Sequence, residues 1–142
     1  MDDPFDLDRF VRAQAQTYAQ ALSELERGRK ESHWIWWIFP QIDGLGSSPT
    51  SRAYSIKSED EARAYLAHPV LGPRLIECAE AVLAVDGPTA TDILGSPDDL
   101  KLKSCATLFA HVAALGSVFE RILDKFYGGE RDSATLRRLS HQ

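Results

Sequence analysis

Apolar side chains recur at three- and four-residue steps along most of this 142-residue chain, which is the spacing of one face of an α-helix. The first stripe covers residues 7–25 and predicts one long helix, which Asp3 or Asp6 can cap and Gly28 can end. Gln14 is a polar member of this stripe. It is therefore either a residue at the edge of the helix or a buried amide with hydrogen-bond partners.

Turn and capping residues divide the remainder of the chain into shorter segments. Ser32 can cap a short helix over residues 33–39, which Pro40 ends, and the Ser-, Thr- and Pro-rich stretch 47–56 is predicted to be a loop. Further helices are predicted over residues 59–67, 71–83, 97–114, 118–126 and 133–139, with one or two helical turns over residues 89–94. Their capping residues include Ser58, Ser96, Ser117 and Asp132.

The sequence contains no convincing alternation of apolar and polar residues that would indicate a strand. The run Trp34–Phe39 could read as a buried strand, but a single strand does not make a sheet. No repeat, linker or shift in composition divides the chain. The sequence therefore predicts an all-α fold, one compact helical domain over residues 1–142 with about six or seven helices.

Composition and charge exclude several classes of protein. A hydrophobic fraction of 44% and a charged fraction of 26% are typical of a soluble globular protein. The formal net charge of −5 argues against general nucleic-acid binding, because phosphate contacts need clustered Lys and Arg. The apolar runs are too short to cross a bilayer, and the acidic N-terminus has no apolar leader segment. We therefore expect a cytoplasmic protein with no membrane role, in which Cys78 and Cys105 are buried free thiols.

The segment Arg29–Gly46 carries more chemically capable side chains than a helical core requires. It holds all three tryptophans of the chain, Trp34, Trp36 and Trp37. A helix this short cannot bury three indoles within itself, so some of them must pack on longer helices or line a pocket. Trp34 and Trp37 are the candidate walls of that pocket.

The polar residues of the same segment suit a planar, anionic ligand. Arg29 and Lys30 can meet a phosphate, and the free N–H groups that follow Ser32 can bind an anion. His33 can act as an acid or base near neutral pH, which makes it the candidate catalytic residue. Gln41 can orient a ligand through its amide.

Neighbouring helices can contribute to the same site. Lys101 and Ser104 lie on one side of the predicted helix over residues 97–114, a side that ordinarily faces solvent. They matter only if the fold brings that helix to the tryptophans. The candidate ligand-binding residues are therefore Gln14, Arg29, Lys30, Ser32, Trp34, Trp37, Gln41, Lys101 and Ser104.

Several familiar chemistries have no support in the sequence. The histidines His33, His68, His111 and His141 have no ligand spacing with one another or with the cysteines, so no metal site is predicted. The Gly-rich stretch 43–48 lacks the Gly-Lys-Ser/Thr ending of a P-loop, and no Gly-x-Ser-x-Gly elbow occurs. The sequence indicates no particular cofactor.

Short motifs spread over nearly the whole chain are similar to those of a known family. They include Gly28-Arg29-Lys30, Ser32-His33-Trp34, Ile38-Phe39-Pro40-Gln41, His68-Pro69-Val70-Leu71-Gly72 and Gly95-Ser96-Pro97-Asp98-Asp99. With them the sequence resembles the uncharacterised family catalogued as domain of unknown function 1810, some of whose members carry the misleading label calpastatin. The resemblance implies a compact, mainly helical fold and no established activity.

Three interpretations of the tryptophan segment follow. The leading hypothesis is a small-molecule-binding domain, with catalysis as an open option, whose ligand is nucleotide-like or another planar anionic metabolite. The alternative is a non-enzymatic module that binds a protein partner or a second copy through the same aromatic patch. In the third, the segment only packs in the core. A concave site in which His33, Gln41 and Lys101 converge favours the first, and a flat exposed patch favours the second.

Overall fold

The computed structural model describes residues 2–140, and this part of the chain folds into ten helices. In chain order they are α1 (Asp8–Ala15), α2 (Tyr18–Glu26), α3 (Ile35–Ile38), α4 (Pro49–Ala53), α5 (Glu59–Ala67), α6 (Leu71–Leu83), α7 (Ala90–Leu94), α8 (Asp98–Val112), α9 (Val118–Tyr127) and α10 (Ser133–Ser140). Within residues 2–140 no strand forms, and one parallel bridge joins Ile42 to Ile56. The predicted all-α class is confirmed, whereas the predicted number of helices is too low.

The predicted first helix is two helices, α1 and α2, which meet at Gln16 and Thr17. The Thr17 hydroxyl donates to the carbonyl oxygen of Ala13 at 2.9 Å and accepts the indole N–H of Trp37 at 2.8 Å. A hydroxyl that bonds both the preceding turn and a distant side chain favours a bend over a continuous helix. Both helices turn buried residues to the core, so the apolar stripe is continuous in the sequence although the helix is not.

Helix α3 begins later than the sequence predicts. Its N-cap residue is Trp34, which makes no side-chain capping bond. The hydroxyl of Ser32, the predicted cap, donates to the carboxylate of Glu24 at 2.6 Å. The prediction that Ser32 caps a helix from His33 is therefore wrong, because the preceding helix α2 holds the hydroxyl.

Helix α4 lies in the stretch that the sequence predicts to be a loop. The Ser48 hydroxyl accepts the backbone N–H of Ser51 at 3.1 Å, and Pro49 occupies the first helical position. Ser and Pro are common in loops as well as at helix starts, and a helix of only five residues leaves no apolar stripe to tell the two apart.

Other helix ends agree with the predicted capping residues, except that Ser96 does not cap α8: the N-cap residue of that helix is Pro97, and no side-chain capping bond forms there. The hydroxyls of Ser58 and Ser117 each accept a backbone N–H three residues on, and Asp132 accepts the N–H of Thr135 at 2.9 Å. Gly128 ends α9 in the left-handed conformation that glycine adopts without strain. Local capping chemistry is sufficient to place these ends.

The core lies where α6, α8 and α9 pack together, with α2 and α5 against α6. A series of aromatic rings crosses it, with centroids 5.1 Å apart for Phe10 and Tyr65, 5.5 Å for Tyr65 and Phe109, and 5.6 Å for Phe109 and Phe119. Both cysteines are buried free thiols, as predicted, and burial raises the pKa of each.

Two further features of residues 2–140 concern membranes and metal ions. None of the helices within residues 2–140 is long and apolar enough to cross a membrane. Within the same range, no group of three or more His, Cys, Asp or Glu side chains is placed to hold a metal ion. His141, considered above as a metal ligand, lies outside the described residues.

Candidate functional site

The three tryptophans have different surroundings. Trp34 is buried and donates its indole N–H to Glu24 at 2.9 Å. Trp37 is half-buried and donates to the Thr17 hydroxyl. Trp36 is half-buried as well, and Lys101 Nζ lies 4.1 Å from the centroid of its ring. Core packing therefore accounts for Trp34, whereas Trp36 and Trp37 remain partly open to solvent.

Glu24 organises the backbone that leads into the tryptophan segment. One oxygen of this fully buried carboxylate accepts the N–H groups of Glu31 at 2.8 Å, Ser32 at 3.0 Å and the Trp34 indole at 2.9 Å. Burial raises the pKa of Glu24, but hydrogen bonds from the Ser32 hydroxyl and these backbone groups outweigh it and hold the pKa well below its usual range. The sequence predicts no role for Glu24, although this residue follows Ala21 by three positions and so lies on the apolar face.

Lys30 and Lys101 share the carboxylate of Asp98. Lys30 Nζ lies 3.0 Å from one oxygen of Asp98, and Lys101 Nζ lies 3.1 Å from the other. Lys30 also donates to the carbonyl oxygen of Ser32 at 2.7 Å and lies 5.0 Å from the centroid of Trp34. The sequence indicates Asp98 only as an acidic residue in the first turn of α8, where it also lies. The fold thus brings α8 against the tryptophan segment, as a site role for Lys101 requires.

Lys101 and Trp36 line two neighbouring hollows in the surface. The first, here the His33 hollow, has a volume of about 340 Å³, and the second, here the Gln41 hollow, has a volume of about 300 Å³. Besides the shared pair, the His33 hollow is lined by Lys30, His33, Trp34, Trp37 and Asp98. The Gln41 hollow is lined by Gln41, Leu45, Pro97, Leu100, Ser104 and Asp132.

The predicted site residues are divided between these hollows. Lys30, His33, Trp34 and Trp37 line the first, Gln41 and Ser104 line the second, and Lys101 lines both. His33 is exposed and does not share a hollow with Gln41. The leading hypothesis required His33, Gln41 and Lys101 to converge on one void. The structure instead divides them between two hollows that share Lys101.

Gln14, Arg29 and Ser32 line neither hollow. Gln14 is a buried amide with partners, because its nitrogen donates to the Trp37 carbonyl at 2.7 Å and to the Tyr65 hydroxyl at 3.1 Å. Arg29 is exposed, and the Ser32 hydroxyl is held by a carboxylate, as described above. These three residues shape or flank the site without facing its hollows.

Gln41, which lines one of the two hollows, carries an unsatisfied hydrogen-bond donor. The residue is only 8% exposed, and its Nε2 has no acceptor within residues 2–140. Its backbone is fixed, because its carbonyl accepts the N–H of Ile56 at 2.8 Å and Asp43 donates to the Ile56 carbonyl at 2.8 Å. A buried donor without a partner costs about 1–3 kcal/mol, so an acceptor supplied by a ligand would be bound favourably.

Ser104 and Asp132 add acceptors to the same hollow. The Ser104 hydroxyl donates to the carbonyl oxygen of Leu100 at 3.1 Å and keeps a lone pair for another donor. One oxygen of Asp132 accepts both the N–H and the hydroxyl of Thr135, at 2.9 and 2.6 Å. Its second oxygen takes no hydrogen bond from the described part of the chain. The Gln41 hollow therefore combines a donor, a cation and two acceptors.

Larger surface grooves occur elsewhere in the molecule. One of about 600 Å³ lies beside His68, and another of about 570 Å³ lies beside Arg9. In residues 2–140, the buried side-chain atoms without a hydrogen-bond partner are Gln41 Nε2 and Asp99 Oδ1, and neither residue lines these grooves. Chemistry rather than size therefore singles out the Gln41 hollow.

The fold and these hollows define a class of all-α protein with a polar surface site between a one-turn helix, α3, and the 15-residue helix α8. The chain belongs to the family described as protein of unknown function (DUF1810), whose profile matches residues 4–139. The membership that the sequence motifs indicate is thus confirmed.

A relative with a known crystal structure is similar to this chain over nearly its whole length. The conserved hypothetical protein Rv1873 from Mycobacterium tuberculosis has a crystal structure that superposes with a TM-score of 0.95. It is 51% identical to this chain, and the match covers 97% of this chain and 99% of that one. No curated protein matches the sequence.

Proposed function

We propose that this protein binds a small, planar, anionic metabolite, nucleotide-like in its chemistry, in the Gln41 hollow. The observation that carries the proposal is the buried, unpartnered Nε2 of Gln41 in a hollow that Lys101 also lines. A ligand with a hydrogen-bond acceptor and a negative group would satisfy both. Apolar side chains of Leu45, Pro97 and Leu100 complete the lining and suit a flat ring.

The position of Lys101 supports an anionic group on the ligand. Its ammonium lies over the Trp36 ring and shares Asp98 with Lys30, so two cations face one carboxylate. An anion brought to Lys101 would balance the second positive charge. Because Lys101 lines both hollows, a ligand bound there can extend toward His33, the candidate acid or base if the bound molecule is transformed.

The alternative of a protein-interaction module has less support. None of the three indoles is fully exposed, and Trp34 is buried. The large exposed apolar residues of the described chain, Ile76, Leu100, Leu115 and Leu136, all lie outside the tryptophan segment. These positions favour a ligand site over a flat aromatic docking patch. The proposed planar anionic metabolite would be bound in the cytoplasm, a reducing compartment in which the two buried cysteines stay free thiols.

We expect a screen of nucleotides and planar anionic metabolites at millimolar concentration to find compounds that raise the melting temperature. A ligand present at a hundred times its Kd stabilises a protein by about 2.7 kcal/mol. For a domain of this size that corresponds to a rise of roughly 5–10 °C in the melting temperature. The substitution Lys101→Met should weaken binding of each such compound about tenfold or more, because it removes a charge-assisted contact. Isothermal calorimetry measures this loss.

Lys103→Met is the matched control, since Lys103 lies on the same helix, pairs with Glu130 and lines neither hollow. It should leave the dissociation constant unchanged. The proposal is wrong if no compound shifts the melting temperature, or if the hits bind both lysine variants equally well. His33→Ala, tested beside them, shows whether ligands also reach the His33 hollow.

A further inference from the structure

The side-chain amide of Gln41 defines what kind of ligand edge can bind beside it. Its nitrogen is the buried donor described above. A carboxamide carries its donor beside its acceptor, so it pairs best with an edge that places an acceptor next to a donor. Nucleobases present such edges, and Gln or Asn side chains bind adenine through two parallel hydrogen bonds in this way.

The other polar groups of the hollow agree with a base rather than a simple anion. Asp132 and Ser104 offer acceptors, and a carboxylate in the lining disfavours a purely anionic ligand. The exocyclic amino or ring N–H groups of a base are donors that such acceptors would bind. A sugar phosphate would leave the apolar lining of Leu45, Pro97 and Leu100 without a partner.

The charge of the hollow limits the number of phosphates. Among the residues that line it, Lys101 is the cation and Asp132 the anion, and Lys101 already shares Asp98. A triphosphate would meet one shared cation and one opposing carboxylate, whereas a single phosphate needs only the ammonium of Lys101. The volume of about 300 Å³ also fits a small ligand rather than a dinucleotide.

Building on the proposed function, we infer that the ligand is a nucleoside monophosphate. Gln41 binds the acceptor–donor edge of its base, and Lys101 binds its phosphate. Gln41 is then the residue that selects bases over other planar groups, while Lys101 supplies affinity for any anion of suitable size. The two residues therefore have separable effects on binding.

The test compares the 5′-monophosphates of adenosine, guanosine, cytidine and uridine with ribose 5-phosphate, which carries the phosphate without a base. Calorimetry on the full chain should show at least one mononucleotide binding about tenfold or more tightly than ribose 5-phosphate. Gln41→Met should remove most of this preference and leave ribose 5-phosphate binding unchanged. Gln41→Glu, which replaces the donor by a charged acceptor, should weaken the base-bearing ligand further.

Gln16→Met is the matched control, because Gln16 is exposed and lies at the end of α1, away from the hollow. Melting curves of each variant establish that it is folded before binding is measured. The inference is overturned if no mononucleotide saturates the protein at 5 mM, if ribose 5-phosphate binds as tightly as the nucleotides, or if Gln41→Met binds like the unmodified protein. In any of these cases a Lys101-dependent hit from the wider metabolite screen would leave the proposed function standing.

Discussion

Replacing Glu24 by alanine is expected to lower the free energy of unfolding by about 3–5 kcal/mol. The substitution leaves the backbone N–H groups of Glu31 and Ser32 and the indole N–H of Trp34 without their common acceptor, and it empties a fully buried site. Buried donors without acceptors account for most of this loss, with a smaller part from the lost packing. Urea denaturation followed by tryptophan fluorescence measures it.

Two further variants serve as comparisons for Glu24→Ala. Glu24→Gln keeps the shape but turns one acceptor into a donor that faces donors. Its free energy of unfolding should therefore lie between that of Glu24→Ala and that of the unmodified protein. Glu26→Ala changes an exposed residue of the same helix, so its free energy of unfolding should stay within about 0.5 kcal/mol of that of the unmodified protein. A loss below about 1 kcal/mol in Glu24→Ala would show that the carboxylate does not hold the segment together.

The low pKa of Glu24 also predicts a pH dependence. The folded protein holds the pKa of this group below the ordinary value of 4.5, so the charged form stabilises the fold. This contribution is fully present above about pH 4.5 and is lost progressively as the pH falls toward the folded-state pKa. The difference in stability between the unmodified protein and Glu24→Gln should therefore stay constant from pH 6 to about pH 4.5 and narrow as the pH falls further, so that it is smaller at pH 3 than at pH 6. A difference as large at pH 3 as at pH 6 would contradict the assignment.

Gly72→Ala is expected to destabilise the protein by about 2–4 kcal/mol, although helix propensity alone favours alanine by about 1 kcal/mol. Gly72 lies in the first turn of α6, where a Cβ would overlap the carbonyl oxygen of Leu66 and lie 3.0 Å from its carbonyl carbon. The obstacle is backbone of α5, which cannot move aside as a flexible side chain can. Relieving the overlap requires α5 and α6 to separate.

The control for Gly72 is Glu80→Ala, an exposed change on the same helix that should alter stability by less than about 0.5 kcal/mol. Chemical denaturation of both variants shows whether the steric overlap with α5 or the helix propensity of alanine dominates at position 72. A Gly72→Ala protein that is as stable as the unmodified one, or more so, would show that helix propensity outweighs the close approach of the two helices.

The sequence was most informative where structure depends on near neighbours. Ser58, Ser117 and Asp132 cap helices that begin where the sequence predicts, because a cap bonds a backbone N–H three residues away. Ser32 shows the limit of this reasoning. Its spacing suits a cap, but a carboxylate from the preceding helix competes for the hydroxyl, and only the fold reveals that competitor.

The candidate site was predicted in part. The side-chain chemistry of residues 29–46 indicated the tryptophans, Lys30 and Gln41. The predicted helix over residues 97–114 added Lys101 and Ser104, which do lie in the same region. The division into two hollows was not predicted, since residues seven or eight positions apart can face different sides once Pro40 ends the helix. The roles of Glu24 and Asp98 were missed because a carboxylate on a helix is ordinarily assigned to its surface or its first turn.

The short motifs of the sequence indicated the family to which this chain belongs. Periodicity, capping residues and composition by themselves determined that the chain is all-α and where several helices begin. These properties depend on the backbone and on side chains within about four residues of one another. Tertiary structure decided that Lys101 lies over Trp36, that Gln14 is a core amide and that Gln41 keeps an unused donor. Each of these depends on whether a partner far along the chain arrives within hydrogen-bond distance, and no local pattern encodes that distance.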